Sequence, residues 1–214
     1  MQTRRCHSIL LPFLVGFLFF QGLPMRAESN AGAPKDYISP QQLLTDSYKL
    51  AKRVVDSDFQ PTFLIALWRG GSLIGMAITE LFTYVGQPIR NHCAIRASAY
   101  EHDRNTGEVQ IFGLESIAQM IKPGDKILIV DDVVDSGITV QKFIQELKVD
   151  CGCILSDEDI KVATIYYKPK TACIAPDFYI HETSDWLVFP HELEGMTIQE
   201  IAACRGVEVA RLVE

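Results

Sequence analysis

An apolar tetrad that runs directly into acidic residues constrains this chain more than any other feature. Ile127 to Val130 are all apolar, and Asp131 and Asp132 follow at once. Four successive apolar residues are typical of a strand that is buried on both faces of a parallel sheet. Because ligands of such sheets bind beyond the carboxyl ends of the strands, both carboxylates are predicted to lie in a ligand-binding crevice.

The residues after this strand predict a phosphate-binding turn at the start of a helix. A third acid, Asp135, precedes the small residues Ser136, Gly137 and Thr139. The next apolar residues have the spacing of one helix face, and they are Val140, Phe143, Ile144 and Leu147. Free N–H groups and the positive end of the helix dipole favour a phosphate at such a turn.

Helix capping by Asp135, Ser136 or Thr139 is the alternative interpretation of this turn. Capping accounts for one of these residues. It does not account for two further carboxylates beside a buried strand, where each charge needs a partner. The pattern therefore favours function over simple capping.

Size and charge limit the classes of protein that fit. A chain of 214 residues, 48% hydrophobic and 22% charged, is typical of one soluble domain with at most a small appended lobe. The net charge of -7 argues against non-specific nucleic-acid binding. Six cysteines include one close pair, Cys151 and Cys153, without the second pair that a zinc site requires. The scattered cysteines fit a reducing compartment at least as well as a disulfide framework.

The first 34 residues conflict with that compartment. Arg4 and Arg5 precede an apolar run from Ile9 to Phe20, which is the layout of a secretory signal peptide. The run is too short to span a bilayer comfortably, the cleavage region is poor, and Met25 offers another start. We therefore expect an over-extended start, a cytoplasmic protein and no stable membrane association. Export or membrane association remains the alternative, and residues 1–34 are left out of the fold.

The rest of the chain alternates between helices and strands. The predicted strands are Thr62 to Trp68, His92 to Arg96, Val109 to Phe112, Ile127 to Val130 and Lys161 to Tyr167. The predicted helices have apolar stripes at 44–55, 74–85, 114–121 and 140–147, and a last helix begins at Thr197. Repeated units of this length predict an α/β fold with a mainly parallel central sheet flanked by helices. Residues 35–196 are predicted to form the domain, with a small hood lobe mainly at 176–196, and 197–214 a terminal helix and tail.

The segment from Ile127 to Thr139 resembles the phosphoribosyl-pyrophosphate (PRPP) signature of type I phosphoribosyltransferases. The resemblance implies that Asp131 and Asp132 hold the ribose hydroxyls, directly or through Mg²⁺. It makes Asp135 the catalytic general base. It also assigns the 5′-phosphate to the turn formed by Asp135, Ser136, Gly137, Ile138 and Thr139.

The turn from Trp68 to Gly71 resembles the pyrophosphate loop of the same family. An Arg-Gly-Gly turn between a strand and a helix is by itself a weak signal, since such turns commonly contain glycine. The resemblance assigns pyrophosphate binding to Arg69 and Gly70. It also implies a non-proline cis peptide between Trp68 and Arg69.

Later segments resemble the hypoxanthine/xanthine-guanine branch of the family. In that branch a lysine and an aromatic residue hold the purine, which assigns base binding to Lys168, Trp186 and the backbone of Leu187. Taken alone, Lys168 would be a solvated lysine before a turn and Trp186 a core tryptophan. The polar stretch from Ser98 to Gly107 is predicted to be a loop, and it resembles the family's mobile loop, with Ser98 and Tyr100 as its candidate residues.

The resemblance implies a Mg²⁺-dependent enzyme that transfers the phosphoribosyl group of PRPP to a 6-oxopurine, a purine base such as hypoxanthine, guanine or xanthine, and releases pyrophosphate. It also implies a homodimer or homotetramer, and we expect no nucleic-acid partner. Two alternatives are a transferase for another nucleobase and a non-catalytic, PRPP-sensing regulator that binds RNA. The acidic net charge of -7 disfavours the regulator.

Overall fold

The buried apolar runs of the sequence form a central sheet of six strands. The computed structural model describes residues 35–99, 109–152 and 154–214. The strands are β1 Lys35–Tyr37, β2 Phe63–Trp68, β3 Asn91–Ala99, β4 Val109–Ile111, β5 Ile127–Val134, β6 Ile160–Tyr167, β7 Phe178–Glu182 and β8 Trp186–Val188. The helices are α1 Pro40–Val55, α2 Gly71–Tyr84, α3 Leu114–Ala118, α4 Ile138–Asp150, α5 Ile198–Arg205 and α6 Val207–Leu212.

The strand order in the central sheet is β4-β3-β2-β5-β6-β7. Neighbouring strands run parallel except for β3 and β4, which are antiparallel. Alternate residues of β2 face two different cores: Leu64 and Ala66 pack with α1 and α2, whereas Ile65 and Leu67 pack with α3 and α4. Helices on both faces of a mainly parallel sheet confirm the fold class that the sequence predicts.

Helices α1 and α5 begin at the capping residues that the sequence indicates. Ser39 caps α1 by accepting a hydrogen bond from the backbone N of Gln42 at 3.1 Å, and Pro40 occupies the first turn. Thr197 and Glu200 form a reciprocal capping box at the start of α5. These two helices therefore begin where the side chains satisfy otherwise unpaired backbone N–H groups.

The strand order reverses between β2 and β5. From β2 the chain moves outward to β3 and β4, and it then returns to the other side of β2 to form β5. Such a topological switch point opens a crevice at the carboxyl ends of the strands. The turn at Trp68–Gly71 leaves β2 at this place, and the acidic residues of β5 lie beside it.

Strand β5 continues beyond the predicted tetrad and includes Asp131 and Asp132. Its pairing with β2 stops at Val130, directly before the two acids. This agrees with the prediction that the acids follow the buried tetrad. The pairing of β5 with β6 continues from Asp131 to Val134, which keeps the longer segment extended. The acids therefore lie on a part of β5 that is paired along one edge only.

Two further predictions need correction. Ser98, predicted to begin a loop, lies in β3 and pairs in register with Gln110, because the antiparallel ladder with β4 continues to Ala99 and Val109. Tyr100 and residues 101–108 lie outside the described residues. Phe178–Glu182, predicted as part of the hood, is instead the edge strand β7, since its backbone pairs with β6.

The hood contains a separate two-stranded parallel sheet of β1 and β8, which the sequence did not reveal. The register pairs Lys35 with Trp186 and Tyr37 with Val188. The guanidinium of Arg205, at the end of α5, donates to the backbone O of Phe189 at 2.6 Å. The hood is thus held by segments from both ends of the described chain.

Within the described ranges, no helix has both the length and the apolar character needed to cross a membrane.

We predict that Asp125→Ala lowers the free energy of unfolding by about 3 kcal/mol, measured by urea denaturation at pH 7. The buried Asp125 carboxylate accepts hydrogen bonds from Thr62 Oγ1 at 2.7 Å and from the backbone N of Lys122 at 2.8 Å, and it pairs with Arg90. Burial alone would raise the pKa of Asp125, but these partners outweigh it and lower the pKa. The stabilisation is therefore present at neutral pH and is lost as the pH falls through the folded-state pKa.

The exposed Asp58 provides the control for this measurement. Asp58→Ala should change the free energy of unfolding by less than about 0.5 kcal/mol. Equal effects of the two substitutions would contradict a stabilising role for the Asp125 hydrogen bonds.

Candidate functional site

The turn after β2 lies directly against the acidic part of β5. A Cβ atom added to Gly70 would lie 2.0 Å from Oδ2 of Asp132, and one added to Gly71 would lie 2.1 Å from the backbone O of Val130. Only glycine permits this approach. The turn also contains a cis peptide bond between Trp68 and Arg69, as the resemblance implied. The side chain of Arg69 is exposed.

Asp131 and Asp132 occupy different environments although they are adjacent. The Asp131 carboxylate accepts a hydrogen bond from the backbone N of Asp132 at 3.0 Å. Burial raises the pKa of Asp131 well above its ordinary value, and the negative charge of Asp132 adds to this effect. The Asp132 carboxylate lies 3.1 Å from Nε2 of His191, a hood residue. The first acid thus favours a proton or a cation nearby, whereas the second already has a side-chain partner.

The turn that begins α4 has the form expected for an anion-binding site. Gly137 is the N-cap residue, in the left-handed region with φ 75°, and because glycine has no side chain it cannot cap the helix with one. The first helical hydrogen bond joins Gln141 N to Gly137 O at 2.9 Å, so the preceding N–H groups lack helical acceptors. Ser136 Oγ lies 3.4 Å from Ile138 N, which makes a weak contact at most. Capping is therefore not the main role of this segment.

Asp135 bonds to side chains from the segment after β6 instead of capping α4. Nζ of Lys168 donates to its Oδ2 at 2.8 Å, and Thr171 Oγ1 donates to its Oδ1 at 3.0 Å. The side chain of Lys168 is 13% exposed, so Lys168 is not the solvated lysine of the alternative interpretation. The backbone N of Cys173 donates to Ser136 O at 2.8 Å, so the segment after β6 is fixed against the turn that begins α4. The structure thus brings Asp135, Lys168 and this turn together.

The hood residues assigned to the purine occupy a separate element. Trp186 begins β8 and is 44% exposed, which excludes a role as a core tryptophan. Leu187 is buried, and its backbone lies in register with Asp36. Within the described part of the chain, no hydrogen bond or ring contact joins Trp186 to Lys168 or Asp135. The structure therefore leaves Trp186 partly exposed and does not bring it into contact with the acid–lysine pair.

Two residues of this region were missed by sequence reasoning. Thr171 has no sequence signal beyond its position three residues after Lys168. His191 offers a weak signal, because a histidine follows the mainly apolar run from Trp186 to Pro190. Neither signal identifies the acid that each residue contacts, since both contacts join segments that are distant in sequence.

The site combines the turn that begins α4, the two acids of β5 and the glycine turn after β2, and it lies at a topological switch point. This combination is typical of α/β proteins that bind a phosphate-bearing ligand at the strand ends. A family profile described as "Phosphoribosyl transferase domain" matches residues 36–194. The chain belongs to this phosphoribosyltransferase family.

Individual relatives are more distant. The hypoxanthine-guanine phosphoribosyltransferases of pig (Sus scrofa) and of Homo sapiens are each 28% identical over 102 residues, covering 47% of this chain and 44% of the relative. The chain thus matches less than half the length of these curated relatives.

Solved structures of purine phosphoribosyltransferases share the fold over most of the chain. The purine phosphoribosyltransferase of Pyrococcus horikoshii aligns with a TM-score of 0.58 and 25% identity, covering 76% of this chain and 97% of that protein. The xanthine-guanine-hypoxanthine phosphoribosyltransferase of Helicobacter pylori aligns with a TM-score of 0.57 and 23% identity, covering 74% and 92% of the two chains.

We predict that Gly137→Ala destabilises the protein more than Gly124→Ala does, measured by urea denaturation. Both glycines have positive φ, 75° and 86°, so each substitution should cost about 1–2 kcal/mol of backbone strain. A Cβ at Gly137 would also lie 2.6 Å from Cγ2 of Ile174, whereas Gly124 has open space. The steric clash should add about 1–3 kcal/mol at Gly137 alone. Equal losses would show that the phosphate turn is not closely packed.

Proposed function

We propose that this protein is a Mg²⁺-dependent purine phosphoribosyltransferase, which transfers the phosphoribosyl group of PRPP to a 6-oxopurine and releases pyrophosphate. The observation that carries this proposal is the pair of Asp135 and Lys168, 2.8 Å apart, beside the phosphate turn of α4. This pair would supply a general base and an oxo-group donor next to the site proposed for the sugar phosphate. The likeness to purine phosphoribosyltransferases supports the choice of a purine.

The 5′-phosphate would bind at the turn that begins α4. The exposed Ser136 and half-buried Thr139 supply hydroxyl groups, and the backbone of Gly137 and Ile138 supplies N–H groups. The close packing of Gly137 on Ile174 keeps this turn in place. Hydrogen bonds from pre-positioned N–H groups would bind the phosphate without reorganising the loop.

The ribose and the metal would bind at the acidic part of β5. In the described ranges, no group of three or more His, Cys, Asp or Glu side chains could hold a metal. Two carboxylates still fit Mg²⁺, which commonly takes one or two carboxylates together with substrate phosphates and water. The raised pKa of Asp131 fits as well, since a cation would stabilise its charged form. Bound there, Mg²⁺ would neutralise pyrophosphate charge, while Asp131 and Asp132 hold the ribose hydroxyls.

The departing pyrophosphate would bind at the turn after β2. The Arg69 guanidinium can contact phosphate oxygens with two parallel hydrogen bonds. The close approach of Gly70 to Asp132 brings this turn beside the acids that hold the ribose. The two ends of PRPP would thus be held by two different turns, with the anomeric carbon between them.

The purine would bind between the acid–lysine pair and the hood. Lys168 would donate to the exocyclic oxo group, and Asp135 would accept the proton of the imidazole nitrogen as the general base. The half-exposed Trp186 ring would stack on the base, while the backbone of Leu187 contacts the purine edge. Charge develops at the anomeric carbon in an oxocarbenium-like transition state, so positioning and electrostatic stabilisation would carry the catalysis.

Other expectations from the family belong to this proposal. Tyr100 remains the candidate residue of a loop that closes over the site, whereas Ser98 belongs to strand β3. A homodimer or homotetramer in the cytoplasm also remains an expectation. A transferase for another nucleobase is less well supported. Lys168 is a hydrogen-bond donor that suits an oxo group, which adenine lacks, and the likeness to purine phosphoribosyltransferases disfavours orotate. An RNA-binding regulator is disfavoured by the net charge of -7.

A steady-state panel of hypoxanthine, guanine, xanthine, adenine and orotate with PRPP and Mg²⁺ tests the proposal. We expect turnover with at least one 6-oxopurine and little with adenine or orotate. In the same assay Asp135→Asn should lower kcat roughly 10²–10⁴-fold, because a general base is lost. PRPP binding by calorimetry should survive this substitution. Turnover of none of the five bases by a protein that binds PRPP would contradict the enzymatic assignment.

We predict that Lys168→Ala lowers kcat/KM for the preferred 6-oxopurine by roughly tenfold to a hundredfold, since it removes a charged hydrogen-bond donor. Lys170→Ala is the matched control, because Lys170 is an exposed lysine two residues away. It should leave kcat/KM within about twofold of the wild-type value. An unchanged kcat/KM for Lys168→Ala would remove Lys168 from the purine site.

A further inference from the structure

We propose that His191 is a positioning residue that holds the Asp132 carboxylate in the orientation required to bind PRPP. The inference rests on the proposed function and extends it to a hood residue. It follows from the contact between His191 Nε2 and Asp132 Oδ2 at 3.1 Å. This contact links a residue of the hood to the acid pair of β5.

The pattern of hydrogen bonds assigns the direction of this contact. Nδ1 of His191 is buried and has no hydrogen-bond partner within the described residues. A buried N–H without an acceptor is costly, so the proton belongs on Nε2. Nε2 therefore donates to Asp132. A donated hydrogen bond fixes Oδ2 and leaves Oδ1 available to a ligand.

The Asp132 carboxylate is confined on two sides. Its oxygens lie so close to Gly70 that a Cβ there would overlap both of them, at 2.0 Å and 2.7 Å. His191 closes another side, and the two side chains are only 17% and 13% exposed. These two neighbours restrict rotation of the carboxylate. Loss of the His191 contact would allow the carboxylate to rotate away from the orientation that binds PRPP.

The imidazole of His191 is itself held firmly. It stacks on the ring of Phe189 with 5.5 Å between the centroids and 14° between the planes. Two hydrogen bonds between Phe189 and Glu192 close the turn that contains His191. Oε2 of Glu192 accepts from Phe189 N at 2.9 Å, and the backbone N of Glu192 donates to Phe189 O at 3.0 Å. Phe189 in turn packs edge-on against Tyr166 of β6, with 5.8 Å between the centroids. A rigid ring on a closed turn suits a positioning role, because its nitrogen cannot follow a moving carboxylate.

A second histidine–acid pair provides a matched control. His181 Nε2 lies 2.8 Å from Oδ2 of the buried Asp46, and its ring packs on Tyr166 at 5.0 Å. Asp46 belongs to α1 and also pairs with Lys49 at 2.7 Å. Each histidine thus contacts one acid and one aromatic ring, but only His191 contacts an acid of the candidate site.

The experiment measures PRPP binding by calorimetry with Mg²⁺, and KM for PRPP and for the base separately. His191→Leu should weaken PRPP binding and raise KM for PRPP about tenfold, which corresponds to about 1.4 kcal/mol. KM for the base should stay within about twofold. His191→Gln should recover PRPP binding to within about threefold, because its amide can replace Nε2 as a donor. His191→Asn is polar but too short to reach Asp132, so its PRPP binding should be as weak as that of His191→Leu. If the leucine variant does not fold, the comparison of the asparagine and glutamine variants tests the positioning role.

A double-mutant cycle separates positioning from general support of the hood. In an Asp132→Asn protein, His191→Leu should cause little further loss of PRPP binding, since the two residues act through one contact. His181→Leu should lower the thermal midpoint without changing KM for PRPP. An equal loss in the Asp132→Asn background, or an equal rise in KM for the base, would overturn the inference while the proposed function stands. A wild-type protein that binds no PRPP would overturn both.

Discussion

The close approach of the turn after β2 to strand β5 is the constraint on which the rest of the site depends. Gly70 and Gly71 have no side chains, so the backbone of this turn reaches the Asp132 carboxylate and the carbonyl of Val130. The approach occurs where the strand order reverses, and there the ends of β2 and β5 open into one crevice. Any larger side chain at either glycine would move the turn after β2 away from the acids of β5.

The three acids of the site differ in the partners they have once this approach is made. Asp135 forms an ion pair with Lys168, and Asp132 accepts a hydrogen bond from His191. Within the described residues Asp131 has only a backbone donor, and its pKa is raised by burial and by the neighbouring charge. Asp131 is therefore the acid whose charged form a cation would stabilise most. This distribution agrees with a site that receives a phosphate-rich ligand together with a divalent metal.

Local patterns predicted the fold and the linear motifs of the site, but not the contacts between distant segments. The apolar tetrad before Asp131 and the glycine of the α4 turn are encoded within a few residues, so periodicity and residue type were sufficient. Ser98 was assigned to a loop because strand pairing with Gln110 depends on a partner that its own polar sequence does not reveal. The edge strand at Phe178–Glu182 was assigned to the hood for the same reason.

The hood illustrates why such contacts matter for function. Strand β8 is held by β1 from the start of the described chain, and Arg205 of α5 donates to the carbonyl of Phe189 near its end. These attachments fix a segment that carries both Trp186 and His191, and His191 contacts Asp132. In the proposed function this segment would reach the purine through Trp186 and PRPP through Asp132. A displacement of the hood by a bound purine would therefore also move the partner of Asp132. Binding of the two substrates would then be coupled through the hood, with the imidazole as the point of contact.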